Sequence, residues 1–204
     1  MASAIRADAG RDWTLDEARR FAGLMVARPE LEAKMLGIVV LGLFRKAFDR
    51  SLLSDARRWL ERSCHDWAST DGLCGDVVAP LLVDQPQLRL VLRRWRRSPH
   101  LYVRRASAVG LIGLARRGRH LDEAYGAARA LASEDHHLIQ KAVGWLLREA
   151  GKTDPARLER FLRADGRRLG RTSVRYAIER FPERKRHELL AATKPSSTMG
   201  QRLR

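Results

Sequence analysis

Cysteine is scarce in this 204-residue chain: Cys64 and Cys74 are the two it has. Their number and spacing exclude a disulfide framework and a zinc site. Long apolar runs are also missing. The longest, Gly37 to Phe44, makes only about two helical turns, too short to span a bilayer. The first residues lack the charged-then-apolar order of a secretory signal, so a cytoplasmic location is expected. No alternating strand pattern lies between turn residues. No Gly-rich phosphate loop occurs, and no Ser-His-Asp arrangement can be assembled. His136 and His137 are adjacent, so on a helix they are expected to point apart, whereas a metal pair needs a helical-turn spacing. Neither a metal nor a cofactor is expected.

What the chain has in excess is positive charge. Forty Lys and Arg face 24 Asp and Glu, a formal net charge of +16. Such an excess repels itself unless a polyanion neutralises it, which points first to nucleic acid and second to an anionic membrane surface. Hydrophobic residues make up 45%, enough for a sizeable core and against global disorder.

The apolar period is helical nearly throughout. Thr14-Leu15-Asp16-Glu17 reads as a capping box that opens a helix running to about Arg28. Pro29 suits the first turn of a second helix from about Glu30 to Ala47. Further helices are expected at about 51–63, 67–82, 86–96, 100–116, 121–132, 136–150, 155–164, 169–180 and 183–192. Pro, Gly and Asp clusters such as Asp84-Gln85-Pro86, Ser98-Pro99 and Asp154-Pro155 separate them. Short connections imply antiparallel neighbours, and this rhythm predicts an all-α solenoid of helical hairpins, with a globular bundle as the other architecture. A single domain is expected over residues 11–192, with a flexible N-terminus at 1–10 and a flexible tail at 193–204.

Three helices break their own pattern. In the helix from His136, Ile139, Ala142, Val143, Leu146 and Ala150 form an apolar stripe, while Lys141, Trp145, Arg148 and Lys152 share the opposite arc. An indole among cations suits sugar rings and bases flanked by phosphates; it equally suits packing against a neighbouring hairpin beside Lys and Arg stems. In the helix from Asp66, Asp71 lies in line with Trp67, Cys74, Val78 and Leu81. A carboxylate there needs a cation or a donor, unless Asp71 is a capping or loop residue beside Gly72 and Gly75. In the helix from Leu101, Arg105 sits inside the stripe of Leu101, Ala108, Ile112 and Ala115, with Arg104 on its flank. Arg105 either meets an anion, Asp71 or a phosphate, or lets its head reach water. The run Arg93-Arg94-Trp95-Arg96-Arg97 suits backbone contact or a solvated helix end.

Three segments carry a resemblance: Trp67-Ala-Ser-Thr-Asp71, Tyr102-Val-Arg-Arg105-Ala, and Ile139-Gln-Lys-Ala-Val-Gly-Trp145-Leu-Leu-Arg148-Glu149. In order and separation they resemble the AlkD-type DNA alkylation repair proteins, built from HEAT-like helical repeats, over about residues 29–192. The resemblance implies an α-α superhelix and a monofunctional DNA glycosylase. Its substrate would be double-stranded DNA carrying N3- or N7-alkylated purines, removed without base flipping. It implies Asp71 as the catalytic carboxylate, Trp67 and Trp145 as the indoles flanking the damaged nucleotide's sugar, and Arg105 and Arg148 as backbone-binding arginines. Arg104, Lys141 and Lys152 are expected to add DNA contacts. A monomer, associated with the nucleoid through DNA and with no membrane partner, follows. Relatives usually carry one or two more N-terminal helices that supply an aromatic residue, for which Trp13 is the substitute available here. The run Gly72-Leu73-Cys74-Gly75 has the length of an insertion and is expected to shift the carboxylate. The other readings are a non-catalytic HEAT-repeat protein that binds damaged or branched DNA, and a solenoid that binds an acidic protein partner.

Overall fold

The computed structural model describes residues 13–194. The expected loose segment at 1–10 and the part of the expected 193–204 tail from residue 195 lie outside the described residues; Thr193, placed in that tail, is buried, and its hydroxyl donates to the Leu189 carbonyl at 2.7 Å. Among the described residues every regular element is helical, and the all-α helical-hairpin class expected from the sequence holds. By its internal packing the chain divides into two compact units, Met1–Gly113 and Leu114–Arg204.

The first unit opens on α1 (Leu15–Val26) and α2 (Leu31–Gly42), followed by a 3-10 turn at Arg45–Ala47 and α3 (Leu52–Arg62). Next come α4 (Trp67–Leu73), a π turn at Cys74–Val78 and α5 (Ala79–Asp84). A 3-10 stretch at Pro86–Val91 leads into α6 (Leu92–Trp95), and α7 (Leu101–Val109) follows. The short α8 (Ile112–Ala115) carries the boundary between units. The second unit comprises α9 (Leu121–Ala130), α10 (His137–Thr153), α11 (Pro155–Asp165), a 3-10 turn at Gly166–Arg168, α12 (Arg171–Ala177) and α13 (Glu183–Ala192).

Local chemistry explains the ends. The capping box forms: the Thr14 N–H donates to Glu17 Oε2 at 2.7 Å and the Glu17 N–H donates to Thr14 Oγ1 at 3.3 Å. Asp154 accepts from the Arg157 N–H at 2.8 Å, with Pro155 in the first turn. Several expected helices are shorter or interrupted: the one at 67–82 passes through the π turn, the one at 86–96 opens as the 3-10 stretch, and the one at 169–180 is helical over Arg171–Ala177. The second helix ends at Gly42 and tightens into a 3-10 turn, and the one expected at 100–116 breaks after Val109, where Gly110 lowers helix propensity.

Each unit buries its own stripe. Ile38, Leu41, Leu52, Leu60, Leu73, Leu81, Leu92 and Trp95 fill the first; Ile139, Ala142, Val143, Leu146, Leu158, Leu162, Val174 and Leu189 fill the second. Close helix approach depends on glycines, of which Gly37 and Gly144 are examples. A Cβ on Gly37 would lie 2.7 Å from Met25 Cβ, and one on Gly144 would lie 2.4 Å from Tyr176 Cβ. Gly144 therefore lets α12 press closely against α10, as close-packed interiors require.

Ion pairs reveal the repeat that the residues themselves hide. Arg19–Asp55, Asp71–Arg105, Arg116–Glu149, Asp122–Arg157, Arg129–Asp165 and Arg148–Glu179 join partners 36, 34, 33, 35, 36 and 31 residues apart. A recurring step of this size is what stacked hairpins produce, because each repeat touches its neighbour at similar positions; the last hairpin is shorter, with Arg163–Glu188 and Glu159–Lys185 spanning 25 and 26 residues.

Candidate nucleic-acid interface

In the first unit the Asp66 side chain caps α4 by accepting from the Ser69 N–H at 2.8 Å. Asp71 is therefore not a cap. One turn earlier on the same helix, Trp67 stands 61% exposed. Asp71 meets Arg105 of α7 in a two-pronged pair: Nε donates to Oδ1 at 2.9 Å and an Nη donates to Oδ2 at 2.6 Å. The Arg105 side chain is 6% exposed and that of Asp71 16%. Of the two anions weighed for Arg105, it is Asp71 that it holds.

The glycine-containing run after Asp71 is absorbed by the π turn. The Ala79 N–H reaches back five residues to the Cys74 carbonyl, so one extra residue is taken into the helix without a break. The turn leaves Cys74, Val78 and Leu81 fully buried. Burial, and then the nearby Asp71 charge, push the Cys74 thiol well above its usual range, which removes it as a nucleophile. Arg104 spends one guanidinium nitrogen on the carbonyls of Ser98 and Pro99 at 2.8 and 2.9 Å, pinning the loop before α7.

In the second unit, α10 keeps its apolar stripe buried and presents Lys141 and Lys152 to solvent, with Trp145 and Arg148 half-buried. The guanidinium of Arg116 lies over the Trp145 ring, 5.9 Å from its centroid. Four residues beyond Trp145, Glu149 is 3% exposed at its side chain. It accepts from Arg116 Nε at 3.0 Å and from Lys152 Nζ at 2.9 Å, and Arg148 Nε lies 3.7 Å from it. Arg148 also donates to the exposed Glu179. Burial raises the Glu149 carboxyl, but the hydrogen bonds and charges of Lys152 and Arg116 outweigh it and leave the group below its ordinary range.

The structure thus brings together Asp71 with Arg105 in one unit, and Arg148 with Lys152, through Glu149, in the other. Arg116 and Glu149 carry no signal in their own helices that marks them as functional. Their 33-residue separation, close to that of five other ion pairs, is the signal that finds them. Two expectations are corrected. Trp95 is 1% exposed, so the arginine run around it surrounds a core indole and offers no aromatic face. His136 and His137 do not point apart: their rings stack at 4.9 Å, because His136 caps α10 from outside the helical spiral. Among the described residues no cluster of three His, Cys, Asp or Glu could hold a metal ion. Trp13 packs edge-on against Phe21 at 5.3 Å.

The fold and these paired charges define an all-α helical-repeat protein with indoles beside fixed ion pairs. The sequence matches the DNA alkylation repair enzyme family over residues 1–181, and the chain belongs to that family. Its role is accordingly in DNA alkylation repair, with DNA as substrate. A predicted DNA alkylation repair enzyme from Enterococcus faecalis has a similar fold, with a TM-score of 0.76 and 15% identity, over 89% of this chain and 85% of that one. The smu.31 protein from Streptococcus mutans UA159 is similar at a TM-score of 0.61 and 15% identity, over 94% of this chain and 89% of that one. Comparison with curated proteins gave no significant match. No helix among the described residues is long and apolar enough to cross a membrane.

Proposed function

We propose that the protein is an AlkD-type DNA glycosylase that hydrolyses the N-glycosidic bond of cationic N3- and N7-alkylated purines without flipping the base. An alkylated purine already carries positive charge, so it departs with the bonding electron pair as a neutral base. The sugar is left with oxocarbenium character at C1′, and water completes the reaction there, losing a proton. The Asp71 carboxylate stabilises the developing charge and orients the water, as carboxylates do in glycoside hydrolysis. A carboxylate offers about four acceptor sites, of which Arg105 takes two, leaving capacity for substrate and water. The Trp67 ring attracts the same cationic sugar. Trp145, Arg148, Lys141 and Lys152 contact the DNA, with Arg104 holding its loop in place. Phosphate contacts supply affinity without reading sequence.

The observation that carries this reading is the exposed indole of Trp67 one turn from a carboxylate fixed at both oxygens by a buried arginine. The test is release of methylated purines from methylated duplex DNA by the wild type and Asp71→Asn. Release by the wild type and its loss in the variant support the assignment; equal release by both removes it. A second reading, a non-catalytic module for damaged or branched DNA, is favoured by the same pair seen as a structural clamp. It predicts salt-sensitive DNA binding with no base release.

A further inference from the structure

Glu149 is a buried acid beside the basic arc of α10 in a basic protein. Its side chain is 3% exposed, yet around it stand Arg116 at 3.0 Å, Lys152 at 2.9 Å and Arg148 at 3.7 Å. Two of the three cations keep substantial exposure, 53% for Arg116 and 42% for Lys152. The carboxylate is inside and the cations reach outward from it. Beside the cluster is an open groove of about 390 Å³, bordered by Arg148, Lys152 and Arg180 over a floor that includes Leu158, Ala177 and Phe181. Three cations therefore share two carboxylates, Glu149 and the 47%-exposed Glu179, which is paired with Arg148, and Arg180 adds a fourth positive charge at the groove. An anion that brings charge from solvent, on a partly apolar scaffold, fits this site: a phosphodiester with its sugar.

We propose that Glu149 is the positioning residue of a phosphodiester clamp, in which its hydrogen bonds fix Arg116 and Lys152, and its charge draws in Arg148, for contact with the DNA backbone. Long basic side chains lose rotamer freedom on binding, and holding them beforehand removes part of that cost. The bond from Arg116 also seats its guanidinium over Trp145, so the same carboxylate sets the position of a cation against the indole. Glu179 acts differently. It is exposed and holds Arg148 only until a phosphate takes its place. The clamp rests on DNA as substrate and is independent of whether Asp71 performs excision.

Two changes of equal charge separate this from general electrostatics. Glu149→Gln and Glu179→Gln each remove one negative charge from the same site. A protein that merely attracted DNA by net charge would bind more tightly after either. The clamp predicts opposite signs: tighter binding for Glu179→Gln and weaker binding for Glu149→Gln. Affinity for undamaged duplex is measured by fluorescence anisotropy across a salt series. Loss of one phosphate contact weakens binding about eightfold at 0.1 M salt and lowers the salt slope by about 0.9. Glu149→Gln is expected to show at least that change. Glu149→Asp keeps the charge but is one methylene short of its partners, and it is expected to weaken binding and flatten the slope in the same direction. It also serves where Glu149→Gln fails to fold. Folded Glu149 variants that bind at wild-type strength or better, with unchanged slope, overturn the clamp, as does weaker binding by Glu179→Gln. Absence of base release by the wild type with these shifts intact overturns the glycosylase reading alone. A wild type that does not bind duplex DNA at low salt overturns both.

Discussion

The two units build the same three parts into different electrostatic devices. In each, an indole is followed four residues later by a carboxylate on the same helical run, and an arginine about one repeat away grips that carboxylate. Around Asp71 the charges match: Arg105 takes both oxygens and the pair is net neutral. Trp67 stands out in solvent, at the first residue of α4. Around Glu149 they do not match, because Arg116, Lys152 and Arg148 share the acid and Arg116 covers Trp145. A neutral pair with a partly open carboxylate suits a site where positive charge develops. A cation-rich cluster on a buried acid suits one where negative charge arrives. Motif spacing alone would have made the two equivalent; burial and charge count separate them.

The comparison breaks most visibly at the Asp71–Arg105 pair. Removing one partner of a buried ion pair costs about 3–5 kcal/mol, whereas replacing both by apolar residues is close to neutral. Arg105→Met is therefore expected to lower stability in urea unfolding by that amount, and Asp71→Leu/Arg105→Met to recover most of it. A double variant as unstable as the single would show that the pair is not the source of the loss. Next in size is catalysis. Asp71→Asn keeps an acceptor for Arg105 but removes the charge that opposes the oxocarbenium, and base release should fall by about 10²–10³-fold.

The indoles sharpen the contrast. Trp67 is exposed, so Trp67→Ala should change stability by no more than about 0.5 kcal/mol while lowering base release by about tenfold through the lost cation–π attraction. Trp145→Ala removes a half-buried ring beneath Arg116 and should cost about 1–3 kcal/mol in thermal unfolding. Equal stability losses for the two would erase the distinction. The smallest effect is on acid stability. Glu149 is held below its ordinary value near 4.5 in the folded protein. Its contribution is thus complete above that value and is lost as pH falls through the lowered one. Glu149→Gln should flatten the acid limb of the stability curve below about pH 4.5, as followed by urea midpoints.

Helices and most of their ends were legible because period, caps and prolines act locally. The Thr14–Glu17 box and the Asp154-Pro155 start follow from residues within one turn. Asp71 and Arg105 were legible for the opposite reason: each is a charge where its own helix should be apolar, so each required a partner. Glu149 gave no such signal. It lies among Lys and Arg on a helix where an acid looks ordinary, and Arg116 is a repeat away, at what read as the end of a longer helix. The arginine run around Trp95 misled because the flanking charges are exposed while the indole turns inward. The π turn at Cys74–Val78 depends on packing against neighbouring helices, which the glycines of that run permit but do not encode.

Single-turnover excision of N7-methylguanine from duplex DNA, with protein concentration varied, tests the division of labour most directly. The account predicts that Asp71→Asn lowers the rate at saturating protein and leaves the half-saturating concentration nearly unchanged. It predicts the reverse for Glu149→Asp: a higher half-saturating concentration and a wild-type rate once DNA is fully bound. An Asp71→Asn variant that excises at the wild-type rate when saturated would contradict the central claim that this carboxylate carries the chemistry.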